Sequence, residues 1–227
     1  MSKQNFKEAY PQHDTGVTSF NLLKYYDDPL DCLTAHFMLE CSEVLAGAKP
    51  ANLISLANRT RPCGRNLYQL WQQHSQELCR RLPDMCFMVF CIKPQSILML
   101  CYDRNNLDRH LTHSGIRCLL QKSGYNTDAS TAELLEELCR RVNENSRFPH
   151  EIGLFIGYPA KDVAAFMGIV KLPFSCQGPW KIYGNPEISL VLAEKYRSCR
   201  INMNRFLKCG RLDLNSLDGQ QGVFLAV

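Results

Sequence analysis

Tyr158 and Asp162, close together in Glu151-Ile-Gly-Leu-Phe-Ile-Gly-Tyr-Pro-Ala-Lys-Asp162, and Lys49 and Asn52, in Lys49-Pro-Ala-Asn52, are the residues best placed by type to hold a ligand. A tyrosine before Pro159 at a strand-to-helix turn would sit at the carboxyl end of a strand. There the first backbone N–H groups of the next helix can hold an anion. A ligand site would then have Tyr158 and Asp162 converging with Lys49 or Asn52. His150 and Glu151 stand at the other end of the same run, roughly 20 Å away at 3.3 Å per residue in a strand, too far to share a small pocket. The plainer account is a turn in which Gly157 permits the bend, Pro159 starts a helix and His150 ties down a loop. One glycine is far from a phosphate-loop or dinucleotide fingerprint.

Cys176 lies in a Gly/Pro loop beside Trp180 and Tyr183, where a thiol could be accessible and reactive. Reactivity needs a nearby cation to favour thiolate, and only Lys171 and Lys181 are close in sequence. Trp180 and Tyr183 read more simply as anchors of a core or edge strand. His110 and His113, with Asp108, have a spacing that suits metal, but no third ligand follows at a matching distance, so no metal site is expected. In the last helix Arg197, Arg200, Lys208 and Arg211 fall within an arc of about 80°, opposite Leu192, Tyr196, Cys199, Met203 and Phe206. Such a basic stripe could meet an anionic partner, or be a solvated face whose cations suit the negative end of the helix dipole. Without an aromatic platform or a recognised motif, nucleic acid is not an expected partner.

No nucleophile with an adjacent base, no metal-ligand set and no phosphate loop can be assembled from these spacings, and no cofactor is implied. The pattern suits a ligand- or protein-binding module. The alternatives are a small-molecule enzyme using Tyr158, Asp162 and Cys176, or a thiol-based redox or metal-handling protein. A ligand site requires a concave pocket at Tyr158 and Asp162, a docking module an exposed apolar patch, and thiol chemistry a Cys176 that labels faster than the other cysteines.

Composition sets the frame for these residues. The chain has 227 residues, 45% apolar and 21% charged, with a formal net charge of +4. That is enough apolar surface for a real core, and a charge that suits solubility without demanding a polyanionic partner. Apolar runs such as 85–92 and 97–102 are far short of the roughly 20 residues needed to span a bilayer, and the N-terminus lacks a secretory apolar region. A cytoplasmic protein is expected. The twelve cysteines are scattered without CxxC spacing, which reads as reduced thiols. Cys86 and Cys91, an odd number of residues apart in one strand, are expected on opposite faces.

Residues 1–27 read as a partly mobile N-terminal extension, 28–215 as one α/β domain and 216–227 as a tail. Asp28-Pro29 caps a first helix running toward Gly47, and an apolar run from Lys49 to Leu56 suits a buried strand. A helix fits 66–82, followed by an antiparallel hairpin of 86–92 and 96–102, because three residues are too few for a parallel crossover. Helices are expected at 105–113, at 131–142 behind a Ser130/Glu133 capping box, after Pro159, and from about 187 to 209. Strands are expected at 151–158 and 180–184. The sum is a mixed sheet of four to five strands covered by five to six helices.

The segments CSEVLAGAKPANLISL, HEIGLFIGYPAKDVAAFMG and PWKIYGNPE, with KYRSCR in the helix that follows, resemble an uncharacterised bacterial family, a domain of unknown function in anaerobic clostridia and their relatives. The likeness covers roughly residues 30 to 212. It implies a shared fold and a bacterial cytosolic setting, and carries over no catalytic residues.

Overall fold

The computed structural model describes residues 25–61, 63–144 and 147–212; the extension up to residue 24 and the tail 216–227 lie outside the described residues. Within them are nine helices and five strands, a mixture of the expected class. The strands do not share one mixed sheet: three form one antiparallel sheet and two another. Contacts along the chain gather into two compact units, which in described residues are 25–103 with 195–212, and 104–194.

In the first of these, the sheet unit, helix α1 (Pro29–Glu40) begins as expected: the Asp28 carboxylate accepts from the Asp31 N–H at 2.9 Å and proline holds the first position. The helix breaks at Cys41, and a short α2 (Ser42–Leu45) runs toward a turn at Gly47, whose φ of +65° suits glycine. After β1 (Ala51–Ala57), α3 (Leu67–Arg81) starts where the Asn66 side chain accepts from the Tyr68 and Gln69 N–H groups. The hairpin β2 (Cys86–Lys93) and β3 (Ser96–Tyr102) completes a sheet in the order β1-β3-β2. Phe37, Trp71 and Phe87 meet pairwise at 5.3 to 5.6 Å and join α1, α3 and β2 in the core.

A bulge in β2 changes one expectation. Val89 faces Met99 and Cys91 faces Leu98, so Phe90 is the extra residue. Cys86 faces Tyr102, and Tyr102 and Leu98 share a face of β3, so both cysteines project to the same side rather than to opposite sides. Four residues of β3 still separate their positions, about 13 Å, too far to hold one ion together.

The helical unit contains α4 (Arg104–Leu111), α5 (Ser114–Lys122), α6 (Thr131–Glu144), α7 (Ile152–Phe155), α8 (Ala160–Phe166) and the hairpin β4 (Phe174–Gln177) with β5 (Lys181–Tyr183). The capping box forms: the Glu133 N–H donates to Ser130 Oγ and the Ser130 N–H to Glu133 Oε2. The expected strand at 151–158 is instead the helical turn α7. Ile152, Leu154, Phe155 and Ile156 are all buried, and an apolar run covered on every side has the same sequence appearance in either conformation. Gly157, at φ +78°, closes the turn; the Tyr158 N–H reaches the Gly153 carbonyl at 2.9 Å, and the Gly157 N–H the Leu154 carbonyl. The strand rise that set His150 about 20 Å from Tyr158 therefore does not apply to this segment.

The last helix, α9 (Glu187–Lys208), starts where the Asn185 side chain accepts from the Glu187 N–H. It supplies its first turns to the helical unit and the remainder to the sheet unit. Tyr196, Cys199, Met203 and Phe206 are buried, as their spacing requires.

Candidate functional site

Asp162, on the first turn of α8, is 1% exposed and its carboxylate is fully engaged within the protein. Oδ1 accepts from Lys161 Nζ at 2.7 Å and from the Tyr183 N–H at 2.9 Å. Oδ2 accepts from Trp180 Nε1 at 2.8 Å and from Ser189 Oγ at 2.6 Å. Burial alone would raise the carboxyl's affinity for a proton, but these donors reverse that and hold it below the ordinary aspartate range. Tyr158 stacks on Trp180 with ring centroids 4.6 Å apart and is itself buried. The structure therefore joins Tyr158 and Asp162 through Trp180, in an arrangement that ties α8, β5 and α9 together. With its oxygens occupied, Asp162 is a staple rather than a general base or a ligand contact.

Lys49 and Asn52 meet in the sheet unit. Lys49 Nζ donates to Asn52 Oδ1, and the Asn52 amide donates to the Glu40 carbonyl at 2.5 Å and to Glu43 Oε2 at 3.1 Å. Lys49 and Glu43 are each 1% exposed. Burial, opposed by Glu43, lowers the Lys49 pKa to about 8, and burial likewise raises that of Glu43. Lys49 also lies over the Tyr196 ring at 5.3 Å. Arg200, assigned by spacing to an exposed stripe, is buried instead: Nη2 donates to Glu40 Oε1 at 2.9 Å and Nη1 to the Leu39 carbonyl. Arg197, Lys208 and Arg211 remain exposed.

This buried ionic cluster was hidden in the sequence because its members come from α1, α2, the turn before β1, and α9. The one local signal was His36, Glu40 and Glu43, spaced to share a helix face.

The other candidates separate. Cys176 sits in β4 and is half-buried, whereas Cys79, Cys118 and Cys209 are exposed, and all twelve cysteines are free thiols. His110 Nε2 lies 2.7 Å from the Leu154 carbonyl, while His113 stands past the end of α4, at the cap of α5. Among the described residues no group of three or more His, Cys, Asp or Glu could hold a metal ion.

Large apolar side chains are exposed in the helical unit. Val170, Leu172, Phe174, Ile188, Leu190 and Val191 are large apolar side chains exposed within one stretch of sequence, Ile188 at 73% and Val191 at 68%. Ser189 is fully buried on Asp162, so the side of α9 turned away from it, which water would ordinarily make polar, carries Ile188 and Val191. Asp162 accepts from both β5 and α9, and so fixes the hairpin and the helix start against each other.

The family described as "Protein of unknown function (DUF3793)" matches residues 37–215. The chain belongs to the DUF3793 family. Three of the four ligand candidates, Asn52, Tyr158 and Asp162, and the fourth, Lys49, all fall inside the DUF3793 match, as do the buried ionic cluster from Glu40 onward and the exposed apolar residues. Comparison with curated proteins finds no match, and comparison with solved structures finds none. DUF3793 membership thus names no reaction, and the side chains must carry the functional argument. No helix among the described residues is long and apolar enough to cross a membrane.

Proposed function

We propose that the chain is a protein-docking module, and that the first occupant of its docking face is a second copy of the same chain. The supporting observation is the exposure of Val170, Leu172, Phe174, Ile188, Leu190 and Val191 around the β4–β5 hairpin and the start of α9. Exposed apolar side chains are stabilised by covering them, at about 25 cal/mol per Å² removed from water. The ligand alternative is weakened by Asp162, whose oxygens already accept four hydrogen bonds from within the protein.

The second copy is favoured by the form of the surface. Among the described residues β4 has β5 as its strand partner, and its other edge carries extended backbone beside exposed Phe174. Antiparallel strand pairing is self-complementary about a two-fold axis, as is the packing of one apolar helix face on its copy. A small surface of this kind supports a reversible dimer rather than an obligate one. The free thiols fit a reducing compartment, and we place the protein in the cytoplasm on that ground.

Sedimentation velocity across a concentration series tests the proposal. A species of twice the 26.0 kDa chain mass should grow with concentration, and Ile188→Asp with Val191→Asp should return it to monomer without changing the circular dichroism spectrum. A wild-type protein that stays monomeric throughout would overturn self-association.

A further inference from the structure

We draw no further inference here: the strongest candidate, the buried side-chain cluster of His36, Glu43, Lys49 and Asn52 on α1, α2 and β1, in which the His36 ring nitrogens and Glu43 Oε1 lack hydrogen-bond partners, belongs to the ionic cluster already described and is marked as more than a structural joint only by its pKa shifts.

Discussion

Asp162 shows how a residue that resembles a site by type can be a structural joint by contact. Its four donors come from Lys161, Trp180, the Tyr183 backbone and Ser189. Asp162→Asn keeps the shape but removes the charge and aims an NH2 group at donors, so it should lower stability by about 2 to 4 kcal/mol, while Ser189→Ala should cost about 1. Urea unfolding of both variants checks the order; equal and small losses would deny the staple. His36 offers a pH signature. Burial, with Arg61 and Arg200 adding to it against Glu40, brings its pKa from the ordinary 6.5 down to about 4. Between those values the unfolded chain takes up a proton that the folded chain refuses. The His36 contribution is therefore intact above pH 6.5 and is lost as pH falls toward 4, by at most about 1.4 kcal/mol per pH unit. The difference in urea midpoint between pH 7 and pH 5 should shrink in His36→Phe; an unaltered difference would assign the slope to other groups. Among the thiols, exposure predicts that Cys79, Cys118 and Cys209 react with Ellman's reagent before Cys176. A burst from Cys176 alone would restore the reactive-thiol alternative.

At the level of elements, α2, the turn carrying Lys49, and β1 are joined by the buried Glu43–Asn52–Lys49 network. Lys49→Met strands Glu43 without its cation and should destabilise by about 3 to 5 kcal/mol, whereas adding Glu43→Leu should recover much of that loss, since well-packed apolar pairs often match buried ion pairs. A double variant no better than the single one would place the cost in packing. Caps and hairpins were legible in the sequence because their signals act over a few residues: Asp28 with Pro29, Asn66, the Ser130/Glu133 box, and the short connection between β2 and β3. The segment 151–158 was not legible, because Ile152, Leu154, Phe155 and Ile156 are buried on all sides and carry no period to separate helix from strand. The same holds for the bulge at Phe90, which reverses side-chain alternation without a glycine to announce it.

For the whole molecule, we propose that residues 28–215 unfold as one domain although their contacts gather into two units. The ground is α9, which runs unbroken from Glu187 to Lys208 through the division at 194 and 195. Differential scanning calorimetry should give one transition whose calorimetric and van't Hoff enthalpies agree; two resolved transitions would make the units independent domains. If the chain self-associates, the midpoint should also rise with protein concentration. The sequence by itself determined the α/β class, most helix starts, the hairpin of β2 and β3, and the buried face of α9, because propensity, capping and amphipathic spacing are local. Tertiary structure decided that the five described strands form two antiparallel sheets, that Arg200 turns inward to Glu40, that Asp162 is saturated, and that Ile188 and Val191 are left uncovered by the chain's own core. Each of those outcomes depends on which distant groups come to surround a side chain, and the cost of burying a charge or exposing an apolar face is set by those surroundings rather than by neighbours in sequence.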